Sequence, residues 1–185
     1  MSKVLVPLAD GFEEIEAVTV VDVLRRGGVD VVTASIHDRL EVVGAHGLHL
    51  KADQQFDEAQ RGTYDAIVLP GGGMCAETFK QYQPLHERLR RQHEEHRLLC
   101  AICAAPTVLA CAGVLDEDVH VTCYPSCQME LDHEWSPAPV VSDGTIITGQ
   151  APGSAMLFSL VVLQALAGVP TAKKVARGMV TDVLD

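Results

Sequence analysis

The sequence predicts an α/β fold, a mostly parallel sheet with helices on both faces. Three observations lead there. Short apolar runs alternate with stretches whose apolar residues recur at helical spacing, the pattern of strand–helix–strand units. Glycine and proline punctuate the ends of those runs. The chain has 185 residues with no linker, repeat or low-complexity segment, which fits one domain of about 100–200 residues.

The elements follow in order. Lys3–Leu8 is apolar and reads as a buried parallel strand ending near Gly11. Ile15 to Arg26 carries Ile15, Val18, Val21 and Leu24 at helical spacing, and Gly27-Gly28 stops it. Asp30–Ser35 is β-branched and short, hence a strand. Glu41–Val43 and Leu48–Lys51 suggest a hairpin across Gly44–Gly47. Asp65–Leu69 is a buried strand before Pro70-Gly71-Gly72-Gly73, and a polar helix follows Pro84 to about His96. Leu98–Ile102 is a further apolar strand, Ala104–Ala112 a helix ended by Gly113, and His120–Cys123 is strand-like. Val140–Ser142 and Thr145–Thr148 flank Asp143-Gly144, a hairpin signal. Ser154–Ala167 is an apolar helix ended by Gly168 and Pro170, and Ala172–Val180 is a last short helix.

Composition narrows the function. A net charge of −11 argues against nucleic acid or an anionic membrane surface as partner, because both need a basic face. Apolar residues make up 48% and charged residues 21%, a folded composition. The longest apolar runs, such as Met156–Leu163, are too short to span a bilayer, and the first residues lack a signal-peptide pattern. A soluble, cytoplasmic protein is the expectation. Six cysteines then read as thiols rather than a disulfide framework. Cys100-Ala-Ile-Cys103 has no second ligand pair at zinc spacing, so no metal site is expected.

In such sheets ligands bind beyond the carboxyl ends of the strands. Cys103 lies there, in Ala101-Ile102-Cys103-Ala104-Ala105-Pro106, between a strand and a helix. Free N–H groups at the helix start favour a thiolate and predict a lowered thiol pKa, and small neighbours allow a tight turn like a nucleophile elbow. The competing reading is an inert buried cysteine. Glu13, Glu14 and Glu16 follow the first strand. Helix-dipole stabilisation accounts for Glu13 and Glu14. Glu16 sits within the apolar stretch, where periodicity leaves its direction open. Pointing into the crevice, it would have a raised pKa and trade protons.

The Gly71-Gly72-Gly73 run suits backbone N–H groups facing a ligand, or an ordinary turn. It lacks both the phosphate-loop and the dinucleotide signatures, so no nucleotide cofactor is expected. His86, His93 and His96 read as solvated. His120 and His133 could approach the crevice, but nothing requires it. Tyr124 could supply a phenolic donor, and Cys123 reads as packing.

Several motifs coincide in order and spacing: Gly11-Phe12-Glu13-Glu14-Ile15-Glu16, Asp22–Arg26, Leu69-Pro70-Gly71-Gly72, Ala101–Pro106 and Ala151-Pro152-Gly153-Ser154. Together they resemble the DJ-1/ThiJ/PfpI superfamily, most closely its DJ-1/YajL branch, from about residue 3 to about 180. The resemblance implies one domain over residues 1–185, a flavodoxin-like sandwich, and a homodimer. It implies Cys103 as oxidisable nucleophile, Glu16 as its protonated carboxyl partner, and the N–H groups of Gly72 and Ala104 as an oxyanion hole. Three positions depart from the family. Ala104 stands where the protease-like branch has histidine, Tyr124 where DJ-1 has histidine before the proline, and His46 where the branch often has arginine; Arg26 matches.

The resemblance implies a cofactor-free glyoxalase or deglycase acting on small dicarbonyls or early glycation adducts, protective in oxidative stress. The alternative is a redox sensor or chaperone acting through Cys103 oxidation without turnover. An amidase or peptidase is a weaker reading, which Ala104 counts against.

Overall fold

The computed structural model describes residues 1–184. In chain order the elements are β1 (Lys3–Leu8), α1 (Glu14–Arg26), β2 (Asp30–Ser35), β3 (Glu41–Val43), β4 (His49–Lys51), β5 (Gln54–Gln55), α2 (Phe56–Ala59), β6 (Ala66–Leu69), α3 (Gly73–Gln81), α4 (Gln83–Glu94), β7 (Leu98–Ile102), α5 (Pro106–Ala112), β8 (His120–Val121), β9 (Glu134–Trp135), β10 (Val140–Asp143), β11 (Ile146–Gly149), α6 (Ala155–Ala167) and α7 (Val169–Gly178). Seven strands form the central sheet in the order β10-β11-β7-β6-β1-β2-β5. All its pairs are parallel except β10 with β11 at one edge. The central strands are apolar throughout because helices cover both faces, and Leu5, Leu8, Ile67, Leu69 and Leu99 are fully buried.

Helices α1, α6 and α7 pack together as one layer, and α3, α4 and α5 as the other. Gly27 ends α1 against α6; a Cβ there would lie 2.3 Å from a Leu163 methyl. The fold is therefore the mostly parallel, two-layered α/β architecture expected.

Some details differ. The buried face of α1 is Glu16, Ala17, Val20, Val23 and Leu24, while Ile15 and Val18 face outward. The apolar spacing picked out a stripe set beside the buried one. Helix α3 gives a weak sequence signal, since it starts at a glycine and is short, with Cys75, Ala76 and Phe79 as its buried residues. Helix α5 begins at Pro106 rather than Ala104, because the chain first makes the turn that holds Cys103. Helix α7 begins at Val169 with Pro170 in its first turn, where no N–H is needed. His86 is not solvated: it is 2% exposed, and its Nε2–H donates to the Phe79 carbonyl at 3.0 Å. His93 is half-buried and His96 exposed. No helix among the described residues is long and apolar enough to cross a membrane.

Candidate active site

The carboxyl ends of β1, β6 and β7 converge, and each delivers one part of the site. Strand β7 runs straight into Cys103, whose φ is +64°. Such a backbone is costly for a residue with a Cβ and persists only where its surroundings hold it. They do: Cys103 N–H donates to the Gly149 carbonyl at 2.9 Å, and the Cys103 carbonyl accepts from Tyr124 N–H at 2.8 Å. The turn lifts the thiol out of the sheet, where the backbone N–H groups of Gly72 and Ala104 favour negative charge on its sulfur.

Strand β6 delivers the glycines. A Cβ on Gly71 would lie 2.7 Å from both Cys103 Cβ and Glu16 Oε2. Glycine is therefore what lets the thiol and the carboxyl meet. Gly72 has φ of +94°, and a Cβ there would lie 2.1 Å from the Gly11 carbonyl oxygen. No side chain fits, and the backbone can present its N–H.

Strand β1 leads into α1 and Glu16, which is fully buried. A closed ring of hydrogen bonds fixes it. Glu13 N–H donates to the Gly71 carbonyl at 3.1 Å, Gly71 N–H to Glu16 Oε2 at 2.7 Å, and Glu16 N–H to Glu13 Oε2 at 2.8 Å. Glu13 is thus the N-cap of α1 as well as the tether of Glu16. Glu16 Oε1 is buried and receives no N–H or O–H donor. The Cys103 thiol is the group left to share a proton with this carboxyl.

Electrostatics follow from that enclosure. Burial pushes the Glu16 carboxyl up to about 7, against the opposing hydrogen bonds from Gly71 and Cys103, with the Glu13 charge adding to the rise. Cys103 is not lowered as the helix-start argument expected. Burial pushes its thiol up to about 12, and the neighbouring Glu16 charge adds to that; the N–H groups of Gly72 and Ala104 pull the other way and lose. The correction has a physical reason. The helix begins three residues later, so only two N–H groups reach the sulfur, while an ionised carboxyl stands beside it. Once Glu16 takes up a proton, its opposing charge is gone and its O–H can donate to the sulfur.

The other residues singled out in the sequence lie around this centre. Tyr124 holds the Cys103 carbonyl through its backbone, while its side chain is exposed. His46 is exposed and bonds Glu14 at 2.8 Å, on the hairpin loop between β3 and β4. His120 is engaged by Glu134 and Asp143 at 3.1 and 3.2 Å, and His133 by the Leu115 carbonyl at 3.4 Å. Cys123 is buried. Among the described residues, Glu13, Glu14 and His46 are the grouping whose ligating atoms converge within 4.8 Å. Glu14 is already taken by His46 and Glu13 by Glu16 N–H.

Sequence reasoning missed two participants. Gly71, not only Gly72, shapes the site, because its N–H anchors the Glu16 carboxyl. Glu13 was read as a dipole residue and is also the tether. Its position three residues before Glu16 is the capping distance and was the available signal.

A family model described as DJ-1/PfpI family matches residues 2–165. The chain belongs to that family. Arabidopsis thaliana Protein DJ-1 homolog B is 36% identical over 185 residues, 96% of this chain, which spans only 41% of that protein's length. The Caenorhabditis elegans relative named Glutathione-independent glyoxalase DJR-1.2 is 32% identical over 89% of this chain and 88% of its own. Among solved structures, Drosophila melanogaster DJ-1beta superposes with a TM-score of 0.94 at 34% identity, covering 98% of this chain and 100% of that one. Oxidised Toxoplasma gondii DJ-1 superposes with a TM-score of 0.93 at 35% identity, covering 98% and 99%. The sheet order and helix layers are thus those of DJ-1 proteins, the flavodoxin-like sandwich that the motifs implied.

Proposed function

We propose that this DJ-1/PfpI protein is a cofactor-independent enzyme that converts small reactive dicarbonyls to hydroxy acids, with Cys103 as nucleophile and Glu16 as general acid and base. The observation that carries the reading is the buried carboxyl with a pKa raised to about 7 beside a thiol on a strained turn. A group that titrates near neutrality can both give and take a proton during turnover. The nematode relative's name, a glutathione-independent glyoxalase, supports the same class.

The steps balance without a cofactor. Cys103 passes its proton to Glu16, and the thiolate adds to the aldehyde carbon of a substrate such as methylglyoxal. The new oxyanion takes that proton back from Glu16 and becomes a hemithioacetal, with the Gly72 and Ala104 N–H groups favouring negative charge at this point. Glu16 then removes the proton from the former aldehyde carbon and returns one to the neighbouring carbon. The resulting thioester is hydrolysed, releasing lactate and the free thiol. The same addition would serve removal of early glycation adducts, giving a deglycase on one site.

The test is lactate formation from methylglyoxal by the pure protein without glutathione. Turnover well beyond one equivalent of protein supports the enzyme. A failure to turn over any small dicarbonyl favours the second reading, a sensor or chaperone in which Cys103 becomes a sulfinate held by Glu16 and the two N–H groups. That reading rests on the same enclosed anion site and on the oxidised state of the Toxoplasma relative.

The proposal includes a two-fold dimer. Ile15, Val18 and Leu48 are exposed on α1 and the adjoining hairpin loop, beside a cavity of about 260 Å³ lined by Ala17, Val18, Val21 and Leu50. Light scattering showing a single-chain mass at all concentrations would refute it.

A further inference from the structure

Two cysteines outside this machinery meet at one oxygen atom, one through its thiol and the other through its backbone N–H. The Tyr124 carbonyl accepts from the Cys123 thiol at 3.3 Å and from the Cys127 N–H at 2.8 Å. Cys123 is fully buried, and Cys127 is half-buried in the short helical turn Pro125–Glu130. The Cys127 thiol also bears on that of Cys123. Burial is the main cause that pushes Cys123 up to about 11, and Cys127 is the next. Two further groups bracket the pair. The Trp135 indole N–H is buried without a hydrogen-bond partner, and it favours an ionised Cys123 sulfur. On the other side, the Lys80 ammonium favours a Cys127 thiolate, while Glu130 and Glu77 oppose it.

We propose that Cys123 and Cys127 form a redox-active dithiol, separate from Cys103, that closes into a disulfide by exchange with small disulfides such as oxidised glutathione. The juxtaposition is a buried thiol and a half-buried cysteine whose backbone N–H takes the same carbonyl, in an irregular loop. Three residues lie between them, so closure costs little chain entropy. The loop has no sheet partner to break, and the sulfurs must approach to about 2.05 Å.

The electrons balance in two exchanges. The Cys127 thiolate, the reachable one, attacks one sulfur of oxidised glutathione. The glutathione S–S bond breaks, one glutathione leaves as a thiolate, and Cys127 is left in a mixed disulfide. The Cys123 thiol then loses its proton and attacks the Cys127 sulfur. The second glutathione leaves and takes up that proton. The pair has given two electrons, and oxidised glutathione has become two reduced molecules. The bridge would tie down both flanks of Tyr124, whose N–H holds the Cys103 carbonyl at 2.8 Å.

The experiment equilibrates the full chain in glutathione buffers of rising oxidised fraction, blocks free thiols, and maps every cysteine by mass spectrometry. Trp135, the single tryptophan, is followed by fluorescence, because a disulfide at its indole quenches emission. We expect one intramolecular Cys123–Cys127 bridge, with Trp135 emission falling at the same redox ratio and recovering with dithiothreitol. Cys127→Ser should abolish both changes. Cys123→Ser should stop at the Cys127–glutathione mixed disulfide. Cys103→Ala should form the bridge as wild type does, which separates this pair from the candidate active site. Cys123 and Cys127 both staying free across the buffers, or Cys127 joining Cys111 or Cys103 instead, would overturn the proposal. The wild-type map decides even if a serine variant folds poorly.

Discussion

Buried ionisable groups lie at both ends of the sheet, and only one end looks built for chemistry. At the amino ends of β1, β6 and β7, Tyr64 gathers Arg88, Gln92 and Arg97. Its carbonyl accepts from Gln92 Nε2 and from Arg97 Nη1, each at 3.0 Å. The Arg88 guanidinium, 4% exposed, lies 5.7 Å from the Tyr64 ring centroid. Its Nε and Nη1 have no hydrogen-bond partner, just as Glu16 Oε1 has none at the other end. Burial and an orphaned polar atom are therefore not enough to mark a site. Burial lowers the pKa of Arg88, but an arginine stays protonated at neutral pH, and no nucleophile adjoins it. Glu16 titrates near neutrality, and the group beside it is a thiol held at positive φ.

Substitutions can break or sharpen that contrast. The largest effect belongs to Cys103→Ala, which should abolish dicarbonyl turnover, because no neighbouring group can form the covalent adduct. Lactate release is the measurement, and thermal melting should stay close to wild type. Glu16→Gln comes next. It is nearly isosteric, so the fold should hold, while turnover falls by about 10²–10⁴-fold, the usual range for a general acid–base group.

The same variant has a stability signature. The folded-state pKa of Glu16 is raised to about 7 from 4.5. The proton-bound state is therefore favoured in the fold, and stability from this group is full below pH 4.5 and lost as pH rises through 7. Denaturant titration should show wild type losing stability over that window relative to Glu16→Gln. The smallest effect lies at the opposite end of the sheet. Arg88→Met should leave turnover unchanged and the melting temperature equal or higher, since an unpaired buried cation is replaced by an apolar chain of similar reach. Lost turnover in Arg88→Met would erase the distinction between the two ends.

Much of this was legible in the sequence for definite reasons. The strands of the sheet centre are short apolar runs ending in glycine, proline or a small residue, so β1, β2, β6 and β7 stand out. Cys103 is visible because it sits where such a run meets a helix. The direction of Glu16 was not visible, because Ile15, Val18 and Val21 mimic a buried stripe, yet Ile15 and Val18 turn outward and Val21 is only half-buried. Nor was the sign of the Cys103 shift. It depends on Glu16 facing the thiol across Gly71, and those three residues come from three different strand ends. Helix α3 was hidden because the glycines that serve the site also erase its start signal.

The most direct test of the acid–thiol pair is the pH dependence of Cys103 alkylation by iodoacetamide, followed by mass spectrometry in wild type and Glu16→Gln. Ionisation of Glu16 places a negative charge beside the sulfur, so the wild-type profile should carry an inflection near pH 7 that Glu16→Gln lacks. Superimposable profiles in the two proteins would contradict the pairing of Glu16 with Cys103.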